Sequence, residues 1–159
     1  MKSECKYSFL EAKTKLEALC AYQERCSFEL NSKMISWGLF EDDRNALLAD
    51  LITNNFLSEE RFAEAFTSGK VRVKKWGRIK IQAQLKQKQI SDYSIKKAFK
   101  KIEDAIYFDN LSHLAERKWI ALANEKDSYS RKMKTYRYLS SKGYETDLIK
   151  ECVEELIKN

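Results

Sequence analysis

Proline is absent from this 159-residue sequence, glycine occurs only at positions 38, 69, 77 and 143, and the single histidine is His113. Sandwiches and barrels need frequent turn residues, so this scarcity excludes them and leaves helices. No apolar run approaches the roughly 20 residues of a membrane span. The stretch MKSECKYSFLEAK lacks the apolar centre of a signal peptide, so the expected address is the cytoplasm, away from any membrane. Cys5, Cys20, Cys26 and Cys152 are spaced 15, 6 and 126 apart with no C-x-x-C pair, and His113 is remote from all four. That spacing speaks against zinc and against a disulfide frame. No G-x-x-x-x-G-K-[ST] phosphate loop is present, and Ser, Cys and His form no nucleophile set. The densest carboxylates, Glu41-Asp42-Asp43 and Glu59-Glu60, fall at helix starts, where acids favour the positive helix end; a metal-dependent nuclease is the weaker reading. The expectation is a protein that is no enzyme and needs no metal or cofactor.

What the chain does have is charge, and it is unevenly placed. Charged residues make up 34% and hydrophobic residues 43%, with a net charge of +6. Residues 1–57 hold 7 basic and 9 acidic side chains, residues 58–106 hold 13 and 6, and residues 107–159 hold 10 and 9. The positive field therefore belongs to the middle third, and a local patch of this kind implies an acidic partner. Its densest part is GKVRVKKWGRIKI (69–81), with Lys70, Arg72, Lys74, Lys75, Arg78 and Lys80 around Trp76; Lys86 and Lys88 follow. A second group, Arg131, Lys132, Lys134 and Arg137, lies among Tyr136 and Tyr138. Basic and aromatic residues together hold single strands through phosphates and stacking. Core packing of Trp76 and plain solvation of the lysines are the competing readings. Val71, Val73, Ile79 and Ile81 do not share one helical face. The chain is thus expected to leave one helix near Lys74 and start another at Gly77, with an exposed corner between them anchored by its isoleucines.

Three segments align as an internal repeat: 34–51, 85–102 and 139–156, with periods of 51 and 54 residues. Met34, Leu85 and Leu139 match, followed by Gly38, Gln89 and Gly143 and then by Leu39, Ile90 and Tyr144. Leu48, Phe99 and Val153 match again, as do Leu51, Ile102 and Leu156. Each unit reads as three helices, with the repeat glycine in the left-handed conformation at a helix end. The predicted fold is all-α: an elongated, curved array of three tandem three-helix repeats, over 1–57, 58–106 and 107–159, with one concave face. Stacking in register brings the two basic groups to the same side.

ALCAYQERCSFELNSKMISWGL (18–39), FLSEERFAEAFTSGKVRVKKWGRIKIQAQLKQKQI (56–90) and the third repeat together resemble the RecX family, over about residues 7 to 158. The most specific parts are Arg25 to Leu30 and the RFAEAF helix followed by a basic stretch and WGR-x-KI. The resemblance implies small cytoplasmic bacterial proteins that bind the RecA recombinase, above all its filament on single-stranded DNA. They restrain strand exchange, ATP hydrolysis and the coprotease activity behind the SOS response, with no catalytic chemistry of their own. The residues expected to meet RecA or DNA, single- or double-stranded, directly or through the filament, are Lys70, Arg72, Lys74, Lys75, Trp76, Arg78, Lys80, Lys86, Arg131, Lys132, Lys134 and Arg137. The chain is expected to act as a monomer. The alternative expectation is an independent helical DNA-binding protein of the architectural kind. Gln89 departs from the family pattern, where glycine is common, as does Cys26, where a second basic residue often sits.

Overall fold

The computed structural model describes residues 4–159; the first residues of the stretch read above for targeting lie outside them. Nine α-helices and one π-helical turn follow one another, with no strand among the described residues. The first unit comprises α1 (Phe9–Tyr22), α2 (Ser27–Ser36) and α3 (Glu41–Thr53). The second comprises α4 (Glu59–Gly69), the π turn Lys70–Lys74, α5 (Arg78–Gln87) and α6 (Asp92–Lys100). The third comprises α7 (Asp104–Ala121), α8 (Ser128–Ser141) and α9 (Thr146–Lys158).

Local chemistry accounts for the helix limits. Ser8 and Glu11 form a reciprocal capping box at α1. Ser58 accepts from the Arg61 N–H at α4, and Ser91 from the Ser94 N–H at α6. The acidic runs Glu41–Asp43 and Glu59-Glu60 occupy the first turns of α3 and α4, as the helix dipole favours. The second helix of each unit stops on a left-handed residue: Gly38 (φ 81°), Gln89 (φ 60°) and Gly143 (φ 95°). Gln89 thus ends α5 in the same conformation as the two glycines, at the steric cost of its Cβ.

Each unit closes its own core. Leu16, Met34, Leu47 and Leu51 fill the first, Phe62, Ile81, Leu85 and Ile95 the second, and Tyr107, Leu139, Ile149 and Val153 the third. The aligned repeat positions Met34, Leu85 and Leu139 are each fully buried. Three small cores in series expose more surface than one large core. The accessible surface is 10261 Å², against about 8,300 Å² for a compact chain of this mass, so the array is elongated.

Candidate functional site

The basic stretch folds as a corner. α4 widens into the π turn, Lys75 takes a left-handed conformation (φ 55°), and α5 starts after Gly77. The corner leaves backbone carbonyls without a helical partner, and the third unit supplies the donors. Asn110 Nδ2 of α7 donates to the Val71 carbonyl (2.8 Å), and the Tyr144 hydroxyl donates to that of Lys75 (2.7 Å). Backbone meets backbone as well: Gly77 N–H donates to the Lys142 carbonyl (2.8 Å) and Ile79 N–H to that of Gly143 (2.9 Å). A Cβ on Gly77 would lie 2.3 Å from the Gly143 carbonyl group, which is why glycine stands there. The corner is thus fixed to a neighbouring unit rather than left as a free loop.

The expected anchors divide. Val71 and Ile81 are buried, whereas Val73 is 77% exposed and Ile79 54%. The anchoring expected of both isoleucines therefore falls to Ile81 alone, because two residues of an α-helix turn by about 200° and point Ile79 outward. Trp76 is half-buried against the second core, with the Lys70 ammonium 4.7 Å and the Lys80 ammonium 4.3 Å from its ring centre. It is both a core residue and the seat of two cations.

The remaining candidate cations fall into two groups. Arg78 is committed internally: its guanidinium pairs with Glu145 (3.1 Å) and Asp104 (3.6 Å) and stacks 4.0 Å over the Tyr107 ring. The Tyr107 hydroxyl accepts from Arg78 N–H and donates to Glu145 Oε1. Burial pushes this phenol well above the usual tyrosine range, and the Glu145 carboxylate that accepts its proton pushes it further. Arg78, expected among the residues that meet RecA or DNA, thus has its charge engaged by two carboxylates and a ring of the third unit. Arg131 is likewise occupied, donating twice to the Trp119 carbonyl and lying 3.9 Å over the indole. Arg72 pairs with Glu103, Lys86 with Asp92 and Lys134 with Glu125. Among the described residues, Lys70, Lys74, Lys75, Lys80, Lys132 and Arg137 have no carboxylate at ion-pair distance. The first four surround the corner; Lys132 and Arg137 stand on α8.

A cleft opens beside the corner, between the α1–α2 turn and α4. Phe66, Lys70, Val73 and Lys74 form one wall, and Glu24 and Glu29 belong to the other. Two cations escaped the sequence reading. Lys142 immediately precedes the repeat glycine, and its carbonyl receives the Gly77 N–H. Lys118 of α7 shares the Tyr138 ring with it, their ammonium groups 5.0 and 5.7 Å from the ring centre. Their basic character was visible, but the contact of Lys142 with the central corner needed the fold. Cys26 sits in the core of the second unit although it belongs to the first, 1% exposed, and burial pushes its thiol up to about 11.

Two family models match in tandem: RecX, second three-helix domain, over residues 58–98, and RecX, third three-helix domain, over residues 105–153. The chain belongs to the RecX family. It is 32% identical over 132 residues to the regulatory protein RecX of Clostridium perfringens strain 13, covering 82% of this chain and 61% of that protein. It is 26% identical over 137 residues to the regulatory protein RecX of Prosthecochloris aestuarii, covering 86% and 87%. The chain thus spans about three fifths of the length of the clostridial relatives it matches. The crystal structure of RecX from Lactobacillus salivarius superposes with a TM-score of 0.81 at 20% identity, covering 95% of this chain and 97% of that one. That likeness concerns the fold. Both relatives are named as regulatory proteins. No helix among the described residues is long and apolar enough to cross a membrane.

Proposed function

We propose that this protein regulates the RecA recombinase by binding its filament on DNA, and that it restrains the filament's ATP hydrolysis, strand exchange and coprotease activity in DNA repair and the SOS response. The observation that carries the reading is the corner at 70–80. Lys74 is exposed and Lys75 half-buried, neither with a carboxylate partner among the described residues, on a turn whose carbonyls are held by the third unit. Cations on a fixed turn meet a partner without the entropy cost of ordering a loop. An acidic filament surface or the phosphates of the bound strand would complement them, and occupying that place would hinder a second strand. The recombinase is the partner that the RecX family resemblance implies, and membership of that family supports it.

The test is RecA's DNA-dependent ATPase with added protein. The wild type is expected to lower the rate to a plateau, and K74E/K75E to have no effect while keeping its melting temperature. An unchanged rate at saturating wild-type protein sinks the inhibitory reading. A second reading, an independent DNA-binding protein, draws on the same uncompensated lysines. Strong binding to bare DNA with no added affinity for the assembled filament would favour it.

A further inference from the structure

Three of the four glycines are required where they stand. Gly38 and Gly143 take a left-handed φ, and Gly77 has no space for a Cβ. Gly69 is the exception. It lies where α4 runs into the π turn, with φ −62° and ψ −43°, ordinary helical values, and a Cβ there would meet nothing within 4 Å. Glycine inside a helix weakens it relative to alanine, because it loses more backbone freedom on folding. No neighbour among the described residues uses the opening that the missing side chain leaves. That opening faces the cleft between the α1–α2 turn and α4, a space of about 540 Å³. Phe62, Phe66, Gly69 and Val73 line one wall of it, spaced 4, 3 and 4 along one helical face. The π turn carries this stripe past the end of α4, and π turns are frequent at functional sites. Val73 closes the stripe and is largely exposed.

We propose that this cleft seats a protein segment in which a bulky apolar side chain stands beside a carboxylate, with the segment packed directly on Gly69. The proposal deepens the reading above, on which it rests: at this place the filament is met through the protein surface of the recombinase and not through DNA. The apolar side chain covers Phe66 and Val73. The carboxylate meets Lys70 and Lys74, which line the same wall and have no carboxylate at ion-pair distance among the described residues. Lys70 is held ready by two rings, its ammonium 5.2 Å from the centre of Phe66 and 4.7 Å from that of Trp76, and a ring fixes a cation without neutralising it. On the opposite wall Glu24 already meets Arg61, and Glu29 meets Arg25 and Lys88. Unmatched positive charge is therefore confined to the α4 side. That arrangement suits one or two carboxylates next to an apolar anchor, whereas a run of phosphates would leave the apolar stripe bare.

Two measurements on the full chain test the cleft. In an NMR titration with the acetylated peptide DEFLDE, the Gly69 and Val73 amides should shift, and DESSDE, of equal charge, should leave them still. In the second, G69L and the wild type are compared for affinity to RecA assembled on a single-stranded oligonucleotide and to the same oligonucleotide bare. G69L is expected to melt no lower than the wild type, because leucine favours the helix and enters open space. It is expected to bind the filament roughly tenfold more weakly, since its side chain occupies room the partner fills, and to bind the bare oligonucleotide as before. Should G69L melt lower, G69A, which adds one methyl group, takes its place in the same comparison. The proposal is overturned by unaltered filament affinity, by an equal loss on the bare oligonucleotide, by equal shifts or none from the two peptides, or by a lower melting temperature in both variants, which would make Gly69 a requirement of the chain's own packing. A wild type with no affinity for the filament would sink the reading of the corner instead, and the peptide titration would then decide the cleft by itself.

Discussion

The two joints of the array are built differently. Between the second and third units, two backbone hydrogen bonds, the Gly77–Gly143 contact, Asn110, Tyr144 and the Arg78–Tyr107–Glu145 group all act together. Between the first and second, Cys26 enters the neighbouring core, Arg61 reaches Glu24 (3.0 Å) and the Asn55 carbonyl (2.7 Å), and Lys88 reaches Glu29 (3.7 Å). The first joint is largely buried and hydrogen-bonded, so separating it strands polar groups. The second is largely a set of partly exposed charges, which water replaces at little cost. The lesson is that the cationic corner travels as one body with the third unit, while the first unit has more freedom against both.

The sharpest way to break this contrast is Gly77→Ala. Its Cβ would meet the backbone of Gly143 and Tyr144 at 2.3–2.4 Å, and backbone cannot step aside as a side chain can. Urea unfolding should show a loss of about 3 kcal/mol, the upper end for overpacking. A loss under about 1 kcal/mol would mean that the joint slides freely. Next is Tyr107→Phe, which leaves the Arg78 N–H and Glu145 without the hydroxyl between them. A loss of about 2 kcal/mol is expected, with hydrogen exchange at Arg78 accelerating while the first unit is unaffected.

Acid offers a comparison inside one unit. Glu59 ties α4 to the cap of α6, accepting from Ser91 N–H, Ser91 Oγ and Ser94 Oγ. Partial burial works to raise its pKa, but the hydrogen bonds from Ser94 and Ser91 outweigh it and hold the carboxyl below its ordinary 4.5. Its contribution is therefore present in full above that value and is lost as pH falls through the lower folded one. Wild-type stability should drop over that window, and the Glu59→Gln variant should lack this component of the drop. Equal acid sensitivity of the two would refute the clamp. The smallest effect is expected at the looser joint. Arg61→Gln should cost under about 1 kcal/mol, leave the second and third units unchanged in exchange protection, and raise exchange only near the α1–α2 turn. A cost as large as that of Tyr107→Phe would erase the distinction between the joints.

The repeat was legible because it is written in local terms. Caps at Ser58 and Ser91, left-handed ends at Gly38 and Gly143, and buried Met34, Leu85 and Leu139 recur wherever a three-helix unit must close on few apolar residues. The exit from the first helix of the second unit near Lys74 could be read from four apolar residues that share no helical face. The partners of the charges could not be read. Arg78 and Lys74 look alike in a basic run, yet one lies between two carboxylates and a tyrosine from the third unit and the other faces outward. Lys142 seemed an ordinary residue before a turn glycine until its carbonyl met Gly77.

By itself, then, the sequence determined the helices, their ends, the threefold repeat and the excess of positive charge in the middle, since capping, periodicity and composition act over a few residues. Only the tertiary structure decided which cations are neutralised and which remain to meet a partner. That depends on groups 26 to 67 residues apart along the chain, such as Asp104 and Glu145 around Arg78, and Coulomb attraction follows distance in space, not in sequence.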